Sequence, residues 1–494
     1  MSKKVTFNIS KEDNFSEWYS EILARAEVVD LRYGVKGFVV IRPWGARIIE
    51  KMYRIYESAL RATGHSPVIF PAVIPEGNFE KESSHVEGFA PDVFWLEKKQ
   101  GEERLALRPT SETAFYDLYK IWIRSHRDLP LKLYQRANVF RNETKATRPL
   151  IRSREFHWIE AHDVFATKKD AEVQVWDDVM MTKEVMHKIF GVPFLAMKRP
   201  EWDKFPGAEY TIGSDSILPD GRIIQQPSTH LIGQHFVKAF DLSFKDNKGK
   251  DKVPWLTCYG PAMSRILASV ISVHGDDNGL VLPYILAPLQ VVVIPMEPKN
   301  SGVRIQVSEL VDKIRADLMR DYIDVEIDDS EKRVGEKFFY WEMKGVPFRV
   351  EIGEKELKSG SVEVFIRDSR EKVSVKTGDL VETIKNLGAE YDERLIARAD
   401  EDFASRIVDC ASKGDVKKAL DSGEVARFSF CSCDKDGEKC AEFVEKELQA
   451  RVMGTLAGAS EVSEFRIQDS GKKLGKCLFC GKVAKVKVYA GKSY

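Results

Sequence analysis

The sequence predicts a three-part protein: a mixed α+β domain over residues 1–285, a small α/β domain over 286–400, and a small charged domain over 401–494. Three observations carry this reading. Helix-period and strand-like segments mix in the first part, which is rich in aromatics and arginine; strands alternate with helices after Ala287-Pro288-Leu289; and Cys431, Cys433, Cys440, Cys477 and Cys480 all fall in the last part. The 494 residues fit about three domains at roughly 150 residues each.

In chain order, the glycine-punctuated turn Leu31–Gly37 precedes a helix over Ala46–Ala62, where Ile48, Ile49, Met52, Ile55, Tyr56 and Leu60 recur at helical spacing. Val68–Pro75 reads as a strand closed by prolines, with Pro71 at an edge or interface. Leu105–Pro109 is a short strand, and Thr110-Ser111-Glu112 opens a helix over Ala114–Arg124. Leu131–Glu143 and Ile151–Val164 read as two antiparallel strands joined by the polar, basic loop Thr144–Pro149. Ile223–Gln226 and Val253–Thr257 are strands, and Ala262–Val273 is a helix. Beyond it, strands at Gln290–Pro295, Tyr322–Ile327, Phe348–Ile352 and Val362–Arg367 alternate with helices at Val303–Asp321 and Phe338–Lys344, predicting a largely parallel sheet.

Lys plus Arg is 76 against 77 for Asp plus Glu, a net charge of -1 that excludes a globally basic nucleic-acid coat but allows a local basic groove. No run of apolar residues is long enough for a membrane span, and Met1–Val5 opens no apolar signal core, so the expected place is the cytoplasm. Seven cysteines are too few for a disulfide framework in this length, and their clustering indicates a metal site. Neither a GxxxxGK[ST] loop nor a GxGxxG after a strand occurs, so a bound nucleotide would be held by side chains.

The strongest feature is Asn138-Val139-Phe140-Arg141-Asn142-Glu143, a basic loop, then Ile151-Arg152-Ser153-Arg154-Glu155-Phe156. Arg141 and Glu143, two apart on a strand, share a face, so one can fork a phosphate while the other accepts from an exocyclic amine. An isolated Arg-x-Glu is more often a salt-bridged sheet surface. Here it does not stand alone. The pair resembles motif 2 of class II aminoacyl-tRNA synthetases; the helix 46–62 with Gly64–Pro71 resembles motif 1, and Gly260 with Arg265 resembles motif 3. Within that class the chain is similar over essentially its whole length to prolyl-tRNA synthetases of the archaeal and eukaryotic type. The carriers are Arg108–Thr113, Ser125–Pro130, Phe205–Thr211, His274–Pro283 and Gly491–Tyr494.

The resemblance implies a catalytic domain on an antiparallel sheet flanked by helices, an α/β anticodon-binding domain and a zinc-binding C-terminal domain. It implies that Thr110 and Glu112 hold the substrate's secondary amine, a pairing that suits two N–H donors. Arg141 would meet both the L-proline carboxylate and the α-phosphate of ATP, Glu143 the adenine side, Arg152 a second ATP contact and Arg265 the γ-phosphate. Gln225, Ser228 and His230 would line the ATP–proline pocket; taken alone, His230 reads as a core histidine. The implied reaction joins proline and ATP into prolyl-adenylate and charges tRNA(Pro), with Arg141, Arg265 and Mg²⁺ stabilising charge. A homodimer built on motif 1 is implied. The stretch from Phe156 to Cys258 is too short for a large editing insertion, and none is expected. Other readings are a threonyl-like synthetase of the same subgroup, which the Thr110-Ser111-Glu112 loop disfavours, and a non-catalytic relative, which would be expected to lose Arg141, Arg152 and Arg265.

The chain departs from the family's pattern in two places. Gln225-Gln226-Pro227-Ser228 replaces the usual Gly-Gly pair after the glutamine, so 226–229 reads as an altered turn, and Cys258-Tyr259-Gly260 with Met263 replaces Ser-Trp-Gly and a hydroxyl before the motif 3 arginine. His230–His235 only superficially resembles a class I signature. At the C-terminal end, Cys477-x-x-Cys480 and Cys431 with Cys440 supply four thiolates for a closed, structural Zn²⁺ site. Cys433 leaves five candidates for four places, with Cys431 preferred. Cys258 and Cys410 read as packed thiols. The stretch Arg333–Gly353 matches the family's anticodon-binding domain, without assignable base contacts.

Overall fold

The computed structural model describes residues 9–83, 93–143, 147–296, 300–458 and 474–494; Met1–Val5 and loop residues 144–146 lie outside the described residues. The backbone of the first part is an antiparallel ladder formed by β1 (Ser66–Pro67), β2 (Leu131–Phe140), β3 (Glu155–Phe165), β4 (Leu195–Lys198), β5 (Tyr210–Ile217), β6 (Ile223–Gly233) and β7 (Trp255–Gly260), with only the β1–β2 pair parallel. Helices α1 (Phe15–Arg25), α2 (Pro43–Ala62), α3 (Glu112–Trp122), α4 (Lys168–Thr182) and α5 (Met263–His274) cover it. Helix α2 starts at Pro43, whose missing N–H costs nothing in a first turn. It buries Trp44, Ile48, Ile49, Met52, Tyr56 and Leu60. A fully buried side chain of this size contributes about 1.5–3 kcal/mol.

A second sheet of β8 (Val291–Pro295), β9 (Val325–Ile327), β10 (Phe348–Ile352), β11 (Ser361–Ile366) and β12 (Lys372–Lys376) has the order β9-β8-β10-β11-β12. It is mixed rather than largely parallel: β8 runs parallel to β9 and β10, but β10–β11 and β11–β12 are antiparallel. The link from β10 to β11 is the short helix Glu354–Ser359, turned by Gly360 at φ 69°. That connection is too short for a parallel crossover.

Helix α6 (Leu380–Ser405) runs across position 400, and the strands beyond it join the first sheet. With β13 (Ile407–Asp409), β14 (Val425–Phe430), β15 (Arg451–Leu456) and β16 (Val486–Gly491), the order is β13-β14-β16-β15-β4-β5-β6-β7-β3-β2-β1. Thr455 and Leu456 pair with Lys198 and Met197, so one eleven-stranded sheet spans the first and last parts. The buried pair Arg199–Asp215, with bonds of 2.5 and 2.8 Å, reinforces the seam, where Arg199 also donates to the Met453 carbonyl.

Three local expectations are corrected. Val68–Pro75 is not one strand: only Ser66–Pro67 and Val73–Pro75 pair. Between them Pro71 lacks a donor, and the Arg108 guanidinium takes the Phe70 and Pro71 carbonyls at 3.0 and 3.3 Å. The β2–β3 ladder stops at Phe140↔Glu155, so Arg141 and Glu143 lie past the strand; the Glu143 carbonyl is taken by Arg154 Nε at 3.0 Å. Residues 226–229 are not a turn but lie within β6, where an extra residue between Gln225 and Ser228 accommodates Pro227 as a bulge.

Candidate active site

Strand β3 carries the site. Phe156, Trp158, Glu160 and His162 stand two apart and therefore project from one face. The first two rings support cations: the Arg141 guanidinium carbon lies 5.7 Å from each ring centroid, and that of Arg265 lies 5.1 Å from Phe156. Gly260 on β7 lets the Trp158 indole approach, since a Cβ there would sit 2.7 Å from the ring. Half-buried Arg141 forms no ion pair or side-chain hydrogen bond among the described residues; its backbone N–H donates to Arg154 at 2.8 Å. Burial lowers its pKa, opposed by the charges of Glu143, Glu112 and Glu160. Burial, with repulsion from Arg141, brings Arg265 down to about 10, still charged at neutral pH.

Glu143, Arg152, Gln225 and Arg265 line one cavity of about 140 Å³ together with Arg451 and Tyr494. Arg152 donates to Glu143 at 2.6 Å, and Arg265 donates to the Ile151 carbonyl at 3.1 Å. Four of the residues predicted for the nucleotide are therefore brought together, whereas Arg141 and Ser228 are not part of this lining. Its guanidiniums outnumber the single carboxylate, a surplus that suits a polyanion.

The other half of the β3 face forms a floor under Thr110 and Glu112. Glu160 accepts from the Ser111 N–H at 3.1 Å, Gln135 Nε2 at 2.8 Å and His162 Nε2 at 3.4 Å. Burial alone would raise the Glu160 carboxyl, but His162, Ser111 and Gln135 hold it down at about 2. Thr110 donates a short hydrogen bond to Glu112, which also accepts from Cys258 Sγ at 3.4 Å. Across the sheet, His230, Cys258 and His162 are register partners on β6, β7 and β3. His230 contacts Thr211 Oγ1 at 2.8 Å and Ser228 Oγ at 3.0 Å, so both ring nitrogens are engaged, and burial brings it down to about 3. It closes the row as a neutral wall.

Sequence reasoning missed Ser111, Gln135, Phe156, Trp158, Glu160 and His162. The period-two row on β3 is the signal that would have found four of them.

At the C-terminal end, one sulfur from each of Cys431, Cys440, Cys477 and Cys480 lies within 4.8 Å of the others, whereas Cys433 is outside the group. The Cys433 carbonyl instead accepts from the Glu201 N–H at 2.9 Å. Four thiols so placed need only a small contraction to meet the roughly 3.8 Å edge of a tetrahedron with 2.3 Å Zn–S bonds. The Lys482 backbone N–H holds the Cys480 thiol down to about 7.

Residues 94–274 match the tRNA synthetase class II core domain (G, H, P, S and T), and residues 290–387 match an anticodon binding domain. The chain is 48% identical over 490 residues to a proline–tRNA ligase of Thermofilum pendens, covering 98% of each. It is 40% identical over 484 residues to that of Methanopyrus kandleri, covering 97% of this chain and 96% of the relative. Among solved structures, Giardia lamblia prolyl-tRNA synthetase in complex with prolyl-adenylate superposes with a TM-score of 0.92 at 37% identity, covering 99% of this chain and all of the other. That of Cryptosporidium parvum complexed with L-proline and AMP gives 0.88 at 29% identity, covering 99% of each.

Proposed function

The chain belongs to the proline–tRNA ligase family of class II aminoacyl-tRNA synthetases, and we propose how its side chains divide the work of that reaction. The enzyme activates L-proline with ATP and charges tRNA. The proline carboxylate attacks the α-phosphate and pyrophosphate leaves; the 3′-terminal adenosine hydroxyl of tRNA(Pro) then attacks the acyl carbon and AMP leaves. No protein nucleophile is required. Catalysis consists of positioning and charge stabilisation.

One observation supports these roles above the others: Arg141 lies on Phe156 and Trp158, unpaired among the described residues, close enough for the charges of Glu112 and Glu160 and of the cavity residues Glu143 and Arg265 to act with it. In this reading Arg141 grips both the proline carboxylate and the α-phosphate. Arg265 and Arg152 take the outer phosphates, Glu143 the adenine amine, and Gln225 the sugar side. Glu112 and Thr110 take the imino group, while His230 and Ser228 wall the ring without spending a ring nitrogen on it. Among the described residues no group of three His, Cys, Asp or Glu ligands lies at the nucleotide cavity, so Mg²⁺ would enter with the phosphates of ATP. Pyrophosphate exchange measured across all twenty amino acids tests the assignment. Exchange with proline alone is expected; threonine dependence would overturn it.

The four-cysteine cluster would hold Zn²⁺ as a closed, structural site through Cys431, Cys440, Cys477 and Cys480, with no chemical role. One zinc per chain at this cluster, lost in Cys477→Ser, is expected. We infer a homodimer through the β1 edge, where Ile69 is 93%, Ile121 51% and Trp122 43% exposed beside motif 1. Ile69→Glu with Trp122→Glu should yield monomers by light scattering. We divide the chain functionally at about 285 and 400. No helix among the described residues is long and apolar enough to cross a membrane, and the reading places the enzyme in the cytoplasm. No hydrolysis of mischarged alanyl-tRNA is expected, leaving discrimination to the pocket.

A further inference from the structure

We propose that Glu112, His162 and Cys258 form a second metal site, which takes one thiophilic divalent cation such as Zn²⁺ in place of the substrate's ammonium group. The three come from the start of α3, from β3 and from β7, and one ligand atom from each lies within 4.8 Å of the others. All three side chains are buried, and His162 and Cys258 are direct cross-strand partners. Carboxylate oxygen, imidazole nitrogen and thiolate sulfur are all ordinary zinc donors, and three protein ligands leave a fourth place open.

Two further observations point to a ligand here. His162 Nδ1 is buried with no hydrogen-bond partner, while Nε2 meets Glu160 at 3.4 Å. A carboxylate on one ring nitrogen and an unengaged second nitrogen is the arrangement that orients a metal-binding histidine. Cys258 already directs its sulfur at Glu112, at 3.4 Å. On binding, the cation displaces the thiol proton and, where His162 is protonated, the proton on its Nδ1 to solvent, and its charge replaces the Cys258–Glu112 hydrogen bond. The Glu112 and Glu160 carboxylates attract it; the guanidinium of Arg141 opposes it. The competition with proline, though not the metal site itself, rests on Glu112 binding the amine.

The test uses the full chain with its four-cysteine cluster loaded with zinc, titrated with Co²⁺ and followed by thiolate-to-cobalt charge-transfer absorption. The unaltered protein should take a further equivalent with a thiolate band. Cys258→Ser, which keeps a donor to Glu112, should abolish that band and weaken the equivalent by at least about 100-fold, more than the loss of an outer-shell partner costs. Near-ultraviolet circular dichroism checks its fold. Saturating L-proline should also displace the cobalt from the unaltered protein, an arm that needs no variant. Absence of the further equivalent, or a band that survives Cys258→Ser, overturns the proposal even if proline-dependent exchange is intact. Cobalt that binds through Cys258 but is not displaced by proline leaves the site standing and removes Glu112 from amine binding.

Discussion

At the amino-acid end of the pocket, Glu160 is sealed beneath Glu112 and accepts from Ser111, Gln135 and His162. At the nucleotide end, among the described residues, Arg141 rests on two aromatic faces with no carboxylate at ion-pair distance, and Arg265 donates only to backbone carbonyls. The first arrangement is complete before any substrate arrives, and breaking it leaves buried polar groups unpaired. The second holds half-desolvated cations whose charge is neutralised only by a bound anion. Folding and catalysis therefore draw on different ends of one strand, β3.

The sharpest way to break this contrast is Arg141→Ala. Proline-dependent pyrophosphate exchange should fall by about 100- to 1000-fold, the scale of losing a transition-state donor. Thermal unfolding should shift by no more than about 1 kcal/mol, because only the cation–π contacts to Phe156 and Trp158 are lost and, among the described residues, no buried hydrogen bond or ion pair is broken. Near wild-type exchange would refute the assignment. At the opposite end, Glu160→Ala should lower stability by about 3–5 kcal/mol in urea unfolding, since it strands buried donors and His162. A loss below about 1 kcal/mol would mean that the floor is not preformed.

Acid titration sharpens the same point. The Glu160 carboxyl is held at about 2, below its ordinary 4.5, so its stabilising effect is complete above that value and fades as pH falls from 4.5 towards 2. The urea-midpoint gap between the unaltered chain and Glu160→Gln should narrow as pH falls below about 5, and narrow again as pH rises past the ordinary 6.5 of His162, whose pKa Glu160 raises against the opposing effect of burial. The smallest effect is expected for Arg152→Ala. Its bond to Glu143 is partly exposed, so stability should change by less than about 1 kcal/mol, while the KM for ATP rises and that for proline holds. Equal rises in both would merge the two ends.

Order and chemistry of the site were legible where the relevant residues sit close in the chain. Arg141 and Glu143 with Arg152, Thr110 with Glu112, and Cys477 with Cys480 are each local. The floor was not legible, because Ser111, Gln135 and Glu160 meet only after β2 and β3 pair, and a buried glutamine or glutamate has no local signature. The long antiparallel pair was visible in its apolar content, but its end at Phe140 was not, since Arg154 diverts the chain with a side-chain bond. Composition separated the last part of the chain, yet the union of β15 with β4 joins residues that sequence keeps far apart. The preference for Cys431 over Cys433 agrees with the structure, which turns the Cys431 thiol into the cluster.

That union also bears on biosynthesis. As the polypeptide leaves the ribosome, β4 is paired with β5 on one side and stays bare on the other until Arg451–Leu456 has been made. Leu195 and Met197, both fully covered in the finished molecule, belong to that waiting edge. An uncovered strand of this kind invites pairing with neighbouring chains. A nascent or truncated product that stops short of Arg451 is therefore a sticky intermediate, and the last strands act as the seal that ends its exposure.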